Sequence, residues 1–168
     1  MASKKHYIIV SITLGAIAAA SAALIGVTNL VTRNKIAENE RKAIAKGLNY
    51  IFDGDVEIKE ENDLTEYKYV THYYALGDNK CAFRTDGSNM YGKVSLIIGF
   101  NAEEFVKLYV IKNEQTYAST LVDNYINPLN NDERDYDDVK CGATYGASLV
   151  RDMIDDATKA VKKINGKE

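Results

Sequence analysis

The first pattern along the chain is an uncharged, largely apolar run over residues 7–31. Its sequence is YIIVSITLGAIAAASAALIGVTNLV. A helix over this run would be about 37 Å long at ~1.5 Å per residue, enough to cross a hydrocarbon core of ~30 Å. The run therefore predicts a membrane-spanning helix, preceded by a short amino-terminal tail over residues 1–6.

A cleaved secretory signal is the competing interpretation of this run. Lys4 and Lys5 precede it, and AAASAA offers small residues at a possible cleavage site. The run is long for a signal core, which favours a retained anchor. Gly15, Ala19 and Ala23 recur every four residues, a spacing that lets helices approach closely in a membrane. This spacing favours packing against neighbouring membrane helices. The alternative is that the small residues only reflect the Ala-rich composition of the run.

Apolar residues keep a helical period beyond the run. The spacing predicts a juxtamembrane helical stalk over residues 32–52 and a soluble domain over residues 53–168. The positions that carry the helical spacing are Ile36, Ala43, Ile44, Leu48 and Ile51.

The pattern then changes to alternation, which is typical of strands. The segment EYKYVTHYYAL places alternate residues on one face, as a half-buried strand does. Its Tyr-rich face is typical of sheet surface and core, and a flavin or base-stacking pocket is the alternative. The residues of that face are Tyr67, Tyr69, Thr71 and Tyr73.

A hairpin and a final helix complete the pattern. Residues 92–100 and 105–113 are rich in β-branched and aromatic residues and are joined by a short polar link, which predicts a hairpin. Within it, Lys107, Tyr109 and Ile111 are expected on one face and Val106, Leu108 and Val110 on the other. Helical spacing resumes near Ala147, and the single Pro128 is assigned to a loop. This order predicts an α+β soluble domain with an antiparallel sheet and packed helices.

Composition limits the chemistry that the chain can carry. With 168 residues and a formal net charge of −3, the chain has room for one soluble domain. Cys81 and Cys141 lack zinc or iron–sulfur spacing, so one disulfide between them and two unpaired core thiols both remain open. His6 and His72 are isolated, and no Rossmann, P-loop or Ser-His-Asp pattern occurs. No metal site and no nucleic-acid partner are predicted.

One segment, DYDDVKCGATYGASLV, combines small residues with a hydroxyl ahead of the last helix. Helix amino termini present unpaired N–H groups and the positive end of the dipole, which favour phosphate. Gly142 permits close backbone approach or a strained turn. Thr144 is thus either a phosphate-site residue or an ordinary helix cap.

Within this segment, DVKCGATYG resembles the flavinylation motif of the FMN-binding domain family, in which an Asp precedes Ser/Thr-Gly-Ala-Ser/Thr. The resemblance implies that Thr144 carries FMN through a phosphoester bond and that Asp138 serves either recognition or catalysis while a flavin transferase attaches the FMN. Cys141, Gly142, Ala143 and Tyr145 are then expected at the cofactor. Cys141 stands where the family has Ser or Thr.

The resemblance extends over most of the chain. One span followed by VTRNKIAENE, and the segment YGKVSLIIGFNAEEFVKLYVIKNEQT, are similar to the G subunit of the Rnf electron-transport complex. The C subunit of the sodium-translocating NADH:quinone reductase is related. After Thr116 the family has Pro-Gly-Leu-Gly, whereas this chain has YAST. The altered loop is still expected to contact the flavin ring, through Thr116, Tyr117 or Thr120.

The resemblance implies a single-pass membrane flavoprotein whose FMN-binding domain, residues 53–168, lies outside the cytoplasm. It would relay electrons within an Rnf-type ferredoxin:NAD oxidoreductase complex coupled to ion transport, beside other membrane subunits. The alternatives are a solitary membrane flavoprotein that passes electrons to an external acceptor, and a flavin-free assembly protein.

Overall fold

The computed structural model describes residues 4–166 and contains two compact units, which divide between Lys42 and Ala43. Residues 1–3 of the predicted tail and the last two residues of the predicted soluble domain lie outside this range. Helix α1, Lys4–Ile51, forms the first unit up to Lys42, and its remaining residues belong to the second unit. The segment His6–Asn29 of α1 is long and apolar enough to cross a membrane, and its most apolar stretch is exposed in the structure. This agrees with the predicted single-pass span.

The second unit is built on a five-stranded antiparallel sheet in which each strand pairs with the next along the chain. Such an order needs only hairpin connections, and it confirms the predicted α+β class. The strands are β1, Glu60–Asp63; β2, Val70–Gly77; β3, Lys80–Asn89; β4, Gly92–Asn101; and β5, Glu104–Asn113.

The predicted hairpin is confirmed as β4 and β5, but the expected face of Val106 is wrong. Gly99 lies opposite Lys107 and Phe100 lies opposite Phe105, so Val106 is the additional residue of a β-bulge. The bulge turns Val106 onto the face that also carries Tyr109 and Ile111. Alternation alone cannot locate such an insertion, because it assumes an unbroken period of two.

Helices cover the two faces of the sheet. Helix α4, Thr144–Ile164, packs on the first face with nine buried residues and a strongly amphipathic pattern. The opposite face is covered by the end of α1, from which Ile44, Leu48 and Ile51 enter a second apolar cluster. From Ala43 onward, the segment predicted as a stalk is therefore part of the folded domain.

Residues 118–130 are helical, so the assignment of Pro128 to a loop is wrong. Helix α2, Ala118–Leu121, continues through a π-helical turn, Val122–Ile126, into helix α3, Asn127–Asn130. Pro128 is accommodated in the first turn of α3, where a missing N–H costs little. Burial explains this continuous helical path: the side chains of Leu121, Tyr125, Ile126 and Leu129 all join the core.

Candidate functional site

An open cleft of about 360 Å³ lies at the start of α4. Three segments form it: the turn between β3 and β4, the end of β5 with the start of α2, and residues 142–146. Its volume falls in the ~300–1,000 Å³ range of small-molecule and cofactor pockets. The lining residues are Tyr91, Gln115, Tyr117, Leu121, Gly142, Ala143, Thr144, Tyr145 and Gly146.

Thr144 is the first residue of α4, three residues before the predicted start near Ala147. Ala143 occupies the N-cap position and makes no side-chain capping hydrogen bond. The interpretation of Thr144 as an ordinary cap is therefore wrong, and its side chain is exposed at the cleft. The first N–H groups of a 21-residue helix point towards this end, which makes it electropositive.

Two glycines shape the loop and the first turn of α4. Gly142 adopts φ +84°, a left-handed conformation that strains any residue with a Cβ. Gly146 is buried, and a Cβ there would lie 3.0 Å from Leu121 Cδ2, so this glycine lets α4 pack closely on α2.

The turn between β3 and β4 supplies one wall of the cleft. The rings of Tyr91 and Tyr145 lie 5.5 Å apart between centroids and are tilted by 43°. Asn89 joins this turn to α4: its Nδ2 donates to the Tyr145 carbonyl at 3.1 Å, and its Oδ1 accepts from the Tyr91 amide at 2.8 Å. The Asn89 side chain therefore holds the two tyrosines beside each other, because it bonds to the backbone of both.

The segment after β5 contributes a buried polar side chain, Gln115, which is 7% exposed. Its Nε2 donates to the Gly92 carbonyl at 2.5 Å, and its backbone N–H donates to Asn113 Oδ1 at 3.0 Å. Gly92 has φ +135°, and a Cβ there would strike the Glu114 carbonyl. Only glycine therefore lets this segment approach β4 so closely.

The predicted cofactor residues divide into two groups. Five line the cleft, namely Tyr117, Gly142, Ala143, Thr144 and Tyr145. The other three lie beside it without lining it: Cys141, whose carbonyl accepts from Asn124; Thr116, whose amide donates to the Tyr91 carbonyl; and Thr120, whose Cγ2 faces Gly142. Thr120 belongs to α2 rather than to a loop.

Sequence reasoning missed four lining residues, namely Tyr91, Gln115, Leu121 and Gly146. Tyr91 directly precedes the glycine that opens β4, and Gln115 follows the end of β5. Both positions flank elements that were predicted correctly, so the polar or aromatic residue at each strand end was the available signal. Leu121 had none, because the helix that presents it was not predicted.

Asp138 lies outside the cleft lining, in an exposed loop that leads to Cys141. Its carboxylate accepts the Lys140 amide N–H at 3.0 Å and lies 3.5 Å from the Arg134 guanidinium. Arg134 also donates to the carbonyls of Asp138 and Lys140. These bonds give the loop a defined shape and leave the carboxylate accessible from solvent.

Both cysteines are buried and free in the structure. Burial raises the pKa of the Cys81 thiol to about 11, so it stays protonated and unreactive near neutral pH. The disulfide that the sequence left open is not formed.

Comparison with known protein families gives one match, over the first part of the chain. Residues 1–51 match the family model described as the RnfG N-terminal region. The match supports an RnfG-type subunit family. No curated protein matches the chain.

Proposed function

We propose, on the premise that this chain is an Rnf-type subunit of the RnfG family, that it carries FMN covalently on Thr144 and relays electrons within its complex. The observation that carries the proposal is the position of Thr144. It is an exposed hydroxyl on the first residue of a long helix, and it lines a cleft of cofactor size.

The amino terminus of α4 suits the phosphate of FMN. Unpaired N–H groups and the positive dipole end stabilise a phosphate that is joined to Thr144 Oγ1. Gly142 is exposed and has a left-handed backbone conformation, which favours glycine. Because glycine has no side chain, the loop backbone can lie close to the phosphate. To form the phosphoester, Thr144 Oγ1 loses its proton and bonds to the FMN phosphorus, while the bond between that phosphorus and the leaving group of the activated FMN donor, which a flavin transferase supplies, breaks.

The remainder of the cleft suits a flat aromatic group. Tyr91, Tyr117 and Tyr145 offer ring surfaces, and Leu121 offers an apolar one. When bound, FMN supplies the electron-transfer chemistry, while the protein supplies position and electrostatics. No acid or base from the chain is needed for that role.

Asp138 is proposed to serve attachment rather than electron transfer. Its carboxylate is outside the cleft lining, exposed, and fixed in a loop that ends beside Thr144. A transferase that docks on this loop would therefore find the acceptor hydroxyl and the carboxylate on one ordered segment.

The membrane helix fits a subunit held beside other membrane subunits. Residues 7–31 contain no Asp, Glu, Lys or Arg, so this span offers no ion path of its own, and ion transport belongs to its partners. We further propose that the FMN-binding domain lies outside the cytoplasm, where lost FMN would not be replaced and a covalent bond is useful. Labelling of an engineered surface cysteine with a membrane-impermeant reagent in whole cells tests that side.

Flavin fluorescence of the denatured protein on an SDS gel tests the attachment. We expect a fluorescent band from native membranes, its loss in Thr144→Ala and its retention in Thr144→Ser. Thr158→Ala is the matched control, because Thr158 lies on the same helix and its hydroxyl only donates to the Ile154 carbonyl. A dark native band would contradict the flavin proposal and favour an assembly protein. A fluorescent Thr144→Ala band would contradict the acceptor.

Mild solubilisation tests the place of the chain in a complex. Polytopic membrane proteins are expected to migrate with it. Recovery of a fluorescent protein alone would contradict the relay proposal and favour a solitary flavoprotein.

A further inference from the structure

The cleft contains one polar side chain that the attachment chemistry does not use. Gln115 is 7% exposed, and it is the one lining residue with a side-chain amide. A buried polar group that faces a cleft lowers the stability of the folded protein unless a hydrogen-bond partner satisfies it. Gln115 therefore requires an explanation beyond the phosphate and its threonine.

The hydrogen bond of Gln115 fixes which end of its amide is available. A backbone carbonyl can only accept, so the atom bonded to the Gly92 carbonyl at 2.5 Å is Nε2. Oε1 is then the remaining atom, and it lies 3.5 Å from the position that a Cβ on Gly146 would occupy. Gly146 lines the same cleft, so a hydrogen-bond acceptor stands on the cleft wall beside the first turn of α4.

We propose that Gln115 is a positioning residue for the flavin ring: its Oε1 accepts a hydrogen bond from a ring N–H, and its neutral amide sets the reduction potential. This inference rests on the proposed function. A flavin ring carries N–H donors, and its reduced form carries more electron density than its oxidised form. A neutral amide leaves that density unopposed, whereas a carboxylate at the same place would repel it.

The charges around Gln115 support this reading. The neighbouring carboxylate, Glu114, is exposed and pairs with Lys112 at 2.7 Å, so its charge is met by a cation in solvent. The lining residues themselves include no Asp, Glu, Lys or Arg. A single buried negative charge in this cleft would therefore interact strongly with a bound flavin, because no charged lining residue compensates it.

The test measures the midpoint potential of the loaded, full-length protein. Gln115→Glu is expected to disfavour the reduced flavin about tenfold, which is a shift of ~30 mV to lower potential for a two-electron couple. Asn127→Asp makes the same amide-to-carboxylate change at an exposed position and is expected to leave the potential unchanged. Thermal melting of each variant checks that it folds.

A second variant covers the case in which Gln115→Glu does not fold. Gln115→Met is neutral and of similar length but accepts no comparable hydrogen bond, so a shifted visible absorbance band of the flavin is expected. Full flavin loading with an unchanged band in Gln115→Met, or an unchanged potential in folded Gln115→Glu, overturns the role of Gln115 and leaves the proposed function intact. A native protein without covalent flavin overturns the proposed function instead.

Discussion

At the scale of single residues, the segment DYDDVKCGATYGASLV was the most informative part of the sequence. The resemblance to the flavinylation motif selects Gly142, Ala143 and Thr144, and all three line one cleft in the structure. The residues that close the cleft from other segments could not be read in this way. Gln115 reaches the cleft beside Gly92, 23 residues away along the chain, and Tyr91 reaches it beside the Tyr145 ring, and local spacing encodes neither contact.

Gly142→Val is expected to reduce flavin loading strongly. The backbone at Gly142 has φ +84°, a conformation that costs an L-residue ~1–2 kcal/mol, and a Cβ there would lie 3.3 Å from Thr120 Cγ2. Relief of that strain would displace Thr144 from the cleft. In-gel flavin fluorescence per mole of protein measures the effect. Gly54→Val is the control, because a Cβ at Gly54 meets no atom within 4 Å; normal loading of Gly142→Val would show that the glycine is not required.

Thr85→Val is expected to stabilise the domain. Thr85 is fully buried in the sheet, and its Oγ1 has no hydrogen-bond partner in the part of the chain that the structure describes. Removing a desolvated, unpaired hydroxyl should raise the free energy of unfolding by ~1 kcal/mol, measured by urea denaturation. Thr71→Val is the contrast: its hydroxyl lies 3.3 Å from the Arg84 carbonyl and 3.2 Å from Asp86 Oδ2, so a loss is expected. Destabilisation by Thr85→Val would mean that its hydroxyl is paired.

At the scale of elements, long periodic segments were predicted and short ones were not. The two strands of the hairpin have ten residues each and the last helix has 21, so their apolar residues repeat often enough to show a clear period. The helical path over residues 118–130 consists of pieces of four and five residues, includes Pro128, and owes its order to burial. Helices this short are unstable in isolation, so tertiary packing decides their existence.

One side chain joins this helical path to the sheet. Asn130, which is 7% exposed, accepts from the Leu108 amide at 2.9 Å and donates to the Leu108 carbonyl at 2.8 Å. It thus satisfies both backbone groups of a residue on β5, the strand at one end of the sheet order. This prevents further pairing at that point of an otherwise open edge.

Asn130→Ala is expected to lower the free energy of unfolding by ~2–3 kcal/mol, because two buried backbone groups lose their partners. Chemical denaturation measures the loss, and size-exclusion chromatography should detect some association through the exposed edge of β5. Asn131→Ala removes the same group from an exposed neighbour and is expected to change little. Equal stabilities of the two variants would contradict the anchoring role.

At the scale of the whole molecule, the sequence predicted the class and the order of elements but not where the soluble domain begins. The spacing over residues 32–52 predicts one amphipathic helical stalk, because it shows an apolar stripe but not what that stripe packs against. The structure assigns the part from Ala43 to the domain. Gly47 marks the contact, since a Cβ there would lie 2.8 Å from both Ile97 Cδ1 and Tyr109 Cδ1.

Two fragments test this boundary. A fragment of residues 43–168 retains Ile44, Leu48 and Ile51 over the sheet and is expected to be monomeric and to unfold cooperatively. A fragment of residues 53–168 loses three buried side chains worth ~1.5–3 kcal/mol each, a large part of the ~5–15 kcal/mol that stabilises a domain. It is therefore expected to aggregate or to melt far lower, as measured by chromatography and thermal denaturation. Equal melting temperatures would place the boundary at residue 53 and make the end of α1 a separate stalk.

In the full chain, Gly47→Val should reproduce part of the loss of stability, because it forces the helix away from β4 and β5 without removing any apolar surface.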